Sequence, residues 1–573
     1  MSEVAALPAQ IVVGPLVERL RVARGEATGL ASWATAADAT PDAFLAALLR
    51  TLGERRGASL ESDTARFEAY ADLIVGQLTR RRPILVERTG EIERSLSIHE
   101  LDERASSLAA TWSASGVVAT SSIAIVMPQG LDAAVVLLAA LRIGACVTWI
   151  SPVGRAYVTN RLVVLEPDHI AAAVTMKPHL GDFAPRMLPM SATRSGKEGP
   201  SRGHAYAKGE PVFRLFSPYA KQPFDLFELD GVEVLAALVR LVFFGLAGDA
   251  NDVLVWSELD EATHEPLFTL GAIMGGVTRV FCKTEELIAH PEWVASWKTT
   301  LLGVGPELRS ELLRHGPERW PGVRGWLRDM SEPFDFERTQ ALAARVEASK
   351  WRRSDVLHVA AGGGLLAFGV TGMAVSHALA LPALGMTWAL LDPVGTGKPA
   401  GGTVGLLARV AESDPERAAS CFAIAKQGAG WLLAGSTNRG RWGRTYPIFE
   451  ACQAAARLPF IEAVDVVVEA RGIHDAAVTM VAFVDPSVGA VDRHRAVWTK
   501  QLHEAIAFDL GEALVPDSFV FVPVRPRYDE DGAFASAWLG TEWLTGALQQ
   551  KADDSMFTLL ARVARMFAPP KGS

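Results

Sequence analysis

Features that mark several functional classes of protein are scarce in this chain. Its four cysteines, in 573 residues, have neither metal-site nor disulfide spacing, which is typical of a protein from a reducing cytosol. No block of basic residues occurs and the formal net charge is -9, so nucleic acid is not an expected partner. No basic region precedes the first apolar run, so no signal peptide is predicted and a cytoplasmic location is expected.

One stretch lacks charge altogether. Residues 356–391 include no Asp, Glu, Lys or Arg, and the stretch is long enough to cross a bilayer. Pro382 and three consecutive glycines at 362–364 interrupt it, so it cannot form one continuous apolar helix. We therefore predict buried strands of a sheet here, and no membrane span.

Apolar residues, in contrast, are plentiful. They make up 49% of the chain, enough to build the cores of more than one domain. Residues 1–83 predict an N-terminal helical extension, with helical periodicity over 41–52 and 63–78. Three arginines at 80–82 close this region, where they either bind an anion or complement the dipole of a helix end.

The next segment indicates an α/β fold. Ser97 and Glu100 have the spacing of a capping box, which predicts a helix that starts there and stops at Gly116. A strand at 123–127, a helix at 131–142 and a strand at 146–150 are predicted to follow. Together they form a β-α-β unit.

The centre of the chain carries a resemblance to a known family. Residues 214–225 read Arg-Leu-Phe-Ser-Pro-Tyr-Ala-Lys-Gln-Pro-Phe-Asp and precede an amphipathic run at 232–244. A strand with Trp and Asp (252–260) and a segment ending Gly-Gly-Val-Thr-Arg-Val-Phe (275–281) follow. This order resembles the adenylate-forming superfamily of acyl- and aryl-CoA synthetases, peptide-synthetase adenylation domains and luciferases.

The resemblance extends over about residues 84–545 and implies a two-domain organisation. It implies a large N-terminal domain of stacked α/β sheets over 84–435 and a small α+β C-terminal domain over 436–573. The hinge between them would lie at Thr437, Asn438 and Arg439. The family swings its small domain through contacts with ATP, so without those contacts we expect one fixed arrangement.

The chain departs from the family at the phosphate loop. A triphosphate needs free backbone N–H groups and a cation. The family's glycine after the loop Ser is Pro218, which has no N–H, and its loop lysine aligns with Phe224. Lys221 is the only nearby cation in the sequence and lies at the wrong position, and Asp225 adds negative charge.

Further departures affect the metal, the ribose and the C-terminal lysine. No acid lies between Asp355 and Asp392, where the family has its metal-binding Glu, or between Glu416 and Glu450, where it has its ribose-binding Asp. The family's C-terminal lysine is Ala533. We therefore expect neither ATP nor Mg²⁺ to bind, and we assign no catalytic or metal-ligating residue.

The resemblance places an acyl pocket between residues 256–267 and 359–364. His264 would pair with a ligand carboxylate or be a surface residue, and His358 would be a ligand or base or belong to the core. The glycines would cradle an anion or form a close turn. The residues that match binding positions of the family are Ser217, Lys221, Trp256, His264, His358, Gly362, Gly363 and Gly364.

The sequence leaves three hypotheses about function. The first is a degenerate acyl-CoA synthetase-like protein that binds a small acyl or aryl ligand, a carrier protein or an active paralogue. The second is an enzyme, either a divergent acyl- or aryl-CoA or carrier-protein ligase or one with a different reaction in the acyl pocket. The third is a purely structural role. Nucleotide binding distinguishes the first two hypotheses.

Overall fold

The computed structural model describes most of the first 330 residues and selected parts of the remainder. These are residues 41–56, 66–191, 203–216, 226–246, 248, 250–257, 265–303, 305–315, 319–329, 342, 345, 352–356, 367–369, 379–382, 388–391, 404–409, 419–427, 430–436, 440–441, 444–470, 476–485, 491–528, 534–535, 538–539, 542–543, 545–546 and 548.

Eleven α-helices lie in the described part of the chain. They are α1 (Pro41–Arg56), α2 (Ile98–Ala114), α3 (Leu131–Ile143), α4 (Arg155–Leu165), α5 (Gly231–Arg240), α6 (Glu265–Gly275), α7 (Thr284–Ala289), α8 (Glu292–Ser296), α9 (Pro306–His315), α10 (Ile448–Ala456) and α11 (Val491–Leu510).

Strands occur throughout the described chain. They are β1 (Arg66–Glu68), β2 (Leu85–Thr89), β3 (Ile92–Leu96), β4 (Ser122–Val126), β5 (Cys146–Trp149), β6 (His169–Ala172), β7 (Ala205–Ala207), β8 (Pro211–Phe216), β9 (Leu226–Asp230), β10 (Val253–Val255), β11 (Thr278–Phe281), β12 (Leu301–Gly303), β13 (Gly325–Asp329), β14 (Arg352–Val356), β15 (Ala367–Gly369), β16 (Leu379–Pro382), β17 (Trp388–Leu391), β18 (Val404–Arg409), β19 (Ala419–Gln427), β20 (Gly430–Ser436), β21 (Gly440–Arg441), β22 (Arg444–Thr445), β23 (Ile461–Ala470), β24 (Ala476–Val484) and β25 (Ser518–Val522).

A five-stranded sheet holds the predicted β-α-β unit. Its order is β6-β4-β5-β8-β9, and only the β8–β9 pair is antiparallel. β4 is buried at every position, as expected for a parallel strand covered on both faces. The capping box forms as predicted: the Ser97 side chain accepts from the Glu100 N–H, and the Glu100 carboxylate accepts from the Ser97 N–H, so α2 begins at Ile98.

A thirteen-stranded sheet lies beside it. Its order is β17-β18-β19-β20-β16-β15-β14-β13-β12-β10-β11-β2-β3. The run from β14 to β2 is parallel, and the flanking strands are antiparallel. One face packs Val86, Val255 and Val280 against Leu287 of α7 and Trp293 of α8. The parallel centre and mixed edges make this an α/β architecture.

A three-stranded sheet belongs to the C-terminal part. β23 and β24 are antiparallel, and β25 pairs parallel with β24. α10 and α11 cover it through a core that includes Ala451, Met480, Leu502 and Phe521. The strands predicted from residues 459–468, 479–485 and 514–523 are present with shifted ends.

The N-terminal part differs from its prediction in one segment. The helix predicted over 41–52 is present as α1, and its Leu45, Leu48 and Leu52 belong to the main core. The helix predicted over 63–78 is wrong in its first half, because residues 66–68 form β1 and pair with β7. Among the described residues of this segment, the helical parts are Tyr70–Ile74 and Val75–Gln77, a π turn followed by a 3₁₀ turn.

The three arginines at 80–82 differ in their contacts. Arg80 donates to the Thr278 hydroxyl at 2.7 Å and to the Ala250 carbonyl at 3.2 Å, next to the amino ends of β10 and β11. Arg81 and Arg82 are exposed. Arg80 therefore fixes backbone at the edge of the sheet, which neither of the two interpretations of these arginines anticipated.

The uncharged stretch contains strands. β15, β16 and β17 all lie within residues 356–391 and belong to the large sheet, so strands are present in this stretch. Of the helices in the described chain, none combines the length and apolarity that a bilayer span requires.

Candidate functional site

The carboxyl ends of parallel strands are where α/β sheets usually bind ligands. In the large sheet, β10 ends at Val255, directly before Trp256 and Ser257, and it pairs in parallel with β11. β4 of the five-stranded sheet ends at Val126, and Gln129 follows it in the chain. The Gln129 Nε2 donates to the Ser257 carbonyl at 3.3 Å, so these ends of the two sheets meet.

A group of polar side chains lies where they meet, and we call Gln129, Ser257, Arg279 and Thr284 the polar junction. The Arg279 Nη2 donates to the Gln129 Oε1 at 3.3 Å, and the Thr284 Oγ1 donates to the Ser257 Oγ at 3.0 Å. Arg279 and Ser257 are buried, at 0% and 6% exposure. A guanidinium stays charged in a protein, so burial there requires hydrogen-bond acceptors nearby.

Glu87 extends this polar region toward α3. Its Oε2 accepts from the Leu131 N–H at 3.4 Å, at the start of α3, and from the Arg94 Nη2 at 2.6 Å. A carboxylate at a helix N-terminus is stabilised by the orphan N–H groups there and by the helix dipole. Gly130 leaves the space, because a Cβ there would lie 2.9 Å from the Glu87 Oε1.

The polar junction supplies hydrogen bonds and one buried cation. Ser257 contacts the hydroxyl of Thr284, and a hydroxyl is no general base, so this pair does not form an activated nucleophile. Within the described ranges, no group of three or more His, Cys, Asp or Glu is placed to hold a metal ion. The arrangement is therefore suited to holding the two sheets together and to polar recognition.

Trp256 is the one predicted binding residue that lies within the described chain. It is 2% exposed, and its ring meets the ring of Phe268 edge to face, with centroids 5.0 Å apart. Both residues belong to a core cluster with Leu254 and Leu301. The ring fills the core at the end of β10, next to the polar junction.

The other predicted site residues lie outside the described residues. These are Ser217, Lys221, His264, His358, Gly362, Gly363 and Gly364, together with the hinge residues Thr437, Asn438 and Arg439. In the sequence, His264 comes between β10 and α6, and His358 comes two residues after the end of β14.

Residues 217–225 correspond to the family's phosphate loop, and we call them the changed loop. The strands on either side of this loop carry an ion pair. β8 ends at Phe216 and β9 begins at Leu226, and between these strands the Arg214 Nε donates to the Glu228 Oε1 at 2.7 Å. This hydrogen bond raises the pKa of Arg214 above its ordinary value. Among the described residues of β8 and β9, Arg214 is the one cation, and it already has a carboxylate partner.

The helix after the loop also has its own acidic caps. The Asp230 Oδ1 accepts from the Glu233 N–H at 2.9 Å, and its Oδ2 accepts from the Gly209 N–H at 2.8 Å. The Glu233 carboxylate accepts in turn from the Asp230 N–H at 3.2 Å. Helix N-termini bind phosphate through free N–H groups. At α5 the N–H groups of Asp230 and Glu233 already donate to carboxylates of the chain itself.

Comparison with known proteins identifies the fold. Residues 76–175 match the family model described as AMP-binding enzyme. A fatty acid AMP ligase from Legionella pneumophila is similar in structure, with a TM-score of 0.60 and 13% identity over 84% of this chain and 96% of that chain. The chain has the adenylate-forming fold.

Two further solved structures extend the comparison. An acetoacetyl-CoA synthetase from Streptomyces lividans gives a TM-score of 0.61 at 16% identity, covering 95% of this chain and 98% of that chain. An artificially fused adenylation-PCP di-domain from Klebsiella oxytoca gives 0.61 at 14%, covering 79% and 86%. No curated protein matches the sequence. The resemblance deduced from the sequence is thereby confirmed for the fold.

The resemblance to the adenylate-forming family implies ATP and Mg²⁺, and the described charged groups beside residues 217–225 already have partners within the chain. A triphosphate carries several negative charges and needs unpaired cations and N–H groups. Around this loop Arg214 is paired, and the start of α5 is capped by Asp230 and Glu233. No reaction step through ATP is therefore assigned to this chain.

Sequence reasoning missed the polar junction. A usable signal was present in Arg279, a charged residue inside a short strand that reads Thr-Arg-Val-Phe and is buried at every position. Its partner Gln129 lies 150 positions away and follows an unremarkable Met-Pro dipeptide, so no local pattern connects the two.

Proposed function

We propose that this chain uses the adenylate-forming fold to bind, and that it does not adenylate a carboxylic acid. In this proposal it is a binding, scaffold or regulatory partner in acyl metabolism. The expected ligand is a small acyl or aryl group, free or attached to a carrier protein, in the pocket formed by residues 256–267 and 359–364.

The observation that carries the proposal is the charge around the changed loop. Between residues 214 and 233 there are four carboxylates, Asp225, Glu228, Asp230 and Glu233, against two cations. One of these cations, Arg214, is paired with Glu228 at 2.7 Å. The loop itself has Pro218 and Phe224 where the family has an N–H donor and a lysine. Negative charge and missing donors both oppose a triphosphate.

The losses elsewhere in the chain support the same conclusion. Removing a single preorganised donor to a transition state typically costs about 10²–10³ in rate. Here the metal carboxylate, the ribose carboxylate and the C-terminal lysine have no counterpart in the aligned windows. Such effects are not additive, but together they would leave no useful rate of adenylation.

A carrier protein is the macromolecular partner that we propose. One structural neighbour is an adenylation domain fused to a PCP domain, so this fold can be joined to such a partner. A chain that keeps the fold without the chemistry could still dock a carrier protein or an acyl group. An active paralogue is the second partner that we propose for a chain of this kind.

The test is pyrophosphate exchange combined with native mass spectrometry. The purified full chain is incubated with Mg-ATP, labelled pyrophosphate and a panel of straight-chain acids and benzoates, with an active acetoacetyl-CoA synthetase as positive control. We expect no exchange above background, together with a mass increase from one bound acid or an acyl-carrier adduct. Exchange with any acid contradicts the proposal, and so does the lack of binding to every acid and to acyl-carrier protein.

A further inference from the structure

The C-terminal part docks on the large part of the molecule through α4. This helix follows β5 of the five-stranded sheet, and it packs against α10 and α11. Arg161 of α4 donates from its Nη1 to the Glu450 Oε1 of α10 at 2.6 Å. The side chains are only 11% and 2% exposed, so this ion pair is buried between the two parts.

Aromatic rings hold the guanidinium of Arg161 in place. Its Cζ lies 3.3 Å from the ring centroid of Tyr157 and 5.6 Å from that of Phe216. Stacking on rings is favourable for a guanidinium and restricts its orientation. Phe216 is the last residue of β8, so the ion pair lies beside the start of the changed loop.

The backbones also meet closely on the same side. A Cβ on Gly154, just before α4, would lie 2.2 Å from the Asp509 carbonyl oxygen. A Cβ on Gly511, which has φ of +87°, would lie 2.7 Å from the Val153 carbonyl oxygen. The two glycines therefore allow the segment before α4 and the segment after α11 to approach more closely than side chains would permit.

A weaker contact lies at the rim of this interface. The Asn160 Nδ2 donates to the Gln453 Oε1 at 3.1 Å, and this pair is exposed. Burial therefore decreases from the Arg161–Glu450 pair outward. The buried ion pair, rather than the exposed contact at the rim, can therefore determine the orientation in which the two parts dock.

We infer that Arg161, Glu450, Gly154 and Gly511 form an interdomain latch that selects one orientation of the C-terminal part. In the docked state each buried charge needs the other, because a buried charge without its partner is strongly unfavourable. In any other orientation the two charges separate and the glycine contacts are lost. The ion pair therefore specifies the docked orientation even where it adds little net stability.

This inference goes beyond the proposed function and does not depend on it. It follows from contacts between α4 and the C-terminal part alone, and it would hold for a chain that binds ATP. Its test contains no nucleotide and no acyl ligand. A failure of the latch and a failure of the proposed function are therefore distinguishable.

The test is a charge-matching series followed by hydrogen exchange and solution scattering. Arg161→Met and Glu450→Met each remove one of the two opposite charges, whereas the double variant removes both. We expect amide exchange in α4 and α10 to rise at least about 100-fold in each single variant, with a larger radius of gyration. In the double variant the exchange rates of α4 and α10 are expected to return to within about tenfold of those in the natural chain, because two methionines pack together with no buried charge.

Two controls complete the experiment. Lys500→Met removes an exposed pair with Glu504 inside α11, at 3.7 Å, and is expected to change exchange less than about threefold. Glu450→Gln keeps the shape of the side chain and replaces a methionine variant that does not fold. Amide exchange in α4 and α10 should rise about tenfold or more in Glu450→Gln. Unchanged exchange in β4 and β5 shows that the large part stays folded. Unchanged protection of α4 and α10 in the single variants overturns the latch, and so does a double variant as open as the single ones.

Discussion

Gly303 and Trp256 are fitted to each other across two parallel strands. A Cβ on Gly303, the last residue of β12, would lie 2.0 Å from the Cγ of Trp256, just past the end of β10. The indole therefore occupies the space that any side chain at 303 would need. This contact fixes the ring of the one predicted binding residue that the described chain contains, and it does so from the core side.

Gly303→Ala is expected to destabilise the protein. The added methyl group must displace a ring that is 2% exposed, and overpacking of this kind typically costs about 1–3 kcal/mol and occasionally more. The denaturant concentration at the unfolding midpoint, followed by tryptophan fluorescence, should fall accordingly.

Gly322→Ala is the matched control for this substitution. The nearest atom to a Cβ there is the Thr299 carbonyl oxygen at 3.4 Å, and the residue is exposed. Its free energy of unfolding should change by less than about 0.5 kcal/mol, so its midpoint should stay close to that of the natural chain. Equal effects of the two substitutions would show that the contact between Gly303 and Trp256 does not restrict the core.

The capping box at α2 predicts a local effect of Ser97→Ala. Loss of an N-cap side chain costs about 1 kcal/mol, so amides in the first turn of α2 should exchange about fivefold faster. Ser107→Ala, on the exposed face of the same helix, should leave those amides unchanged. Equal exchange in both variants would mean that the cap does not stabilise this helix end.

The same cap predicts a pH effect at Glu100. The Ser97 backbone N–H, then its hydroxyl, hold the pKa of the Glu100 carboxyl below its ordinary value. Because the folded-state pKa is the lower one, the cap contributes fully above the unfolded pKa and is lost as pH falls through the folded pKa. In Ser97→Ala, NMR titration should show the pKa of Glu100 moving upward. An unchanged pKa would contradict the role of the hydroxyl.

The thiols of Cys146, Cys282 and Cys452 are predicted to be unreactive in the folded chain. Burial raises the pKa of Cys146 and of Cys282 to about 12, and it raises that of Cys452 strongly as well. At pH 8 a thiol with a pKa of about 12 is a thiolate for roughly one part in 10⁴, and only the thiolate reacts readily.

Iodoacetamide labelling followed by peptide mapping checks this expectation. Labelling of these three residues at pH 8 should be slow in the folded chain and rapid in urea, with urea as the control. Raising the pH from 8 to 10 should accelerate labelling of the folded chain about tenfold per unit, as long as it stays folded. Fast labelling of Cys146 at pH 8 would show that its pKa is not raised.

The sequence predicted the elements that local chemistry determines. The Ser97–Glu100 spacing located the start of α2, and apolar periodicity located β4, α3 and β5 to within about a residue. The fold followed from the order of such elements. The helix prediction was wrong for residues 66–68, because these residues pair with β7 as a strand despite their helical periodicity.

The candidate site was far less accessible to prediction. Arg279 and Gln129 of the polar junction are separated by 150 positions, and the interdomain pair of Arg161 and Glu450 by 289. Contacts of this kind depend on how complete sheets and helices pack, which a local pattern does not encode. The resemblance to the family, in contrast, predicts that the loop lysine and the metal carboxylate are absent, because those groups have fixed places in a motif.

Mg-ATP binding is the most direct test of the central claim. The full chain is titrated with Mg-ATP by calorimetry at moderate salt, with an active acetoacetyl-CoA synthetase as positive control. Because Pro218 and Phe224 replace a donor and a cation and Arg214 is paired with Glu228, we predict no saturable binding with a dissociation constant below about 100 μM, about -5.5 kcal/mol. A dissociation constant below that value would contradict the account and restore a ligase as the function of this chain.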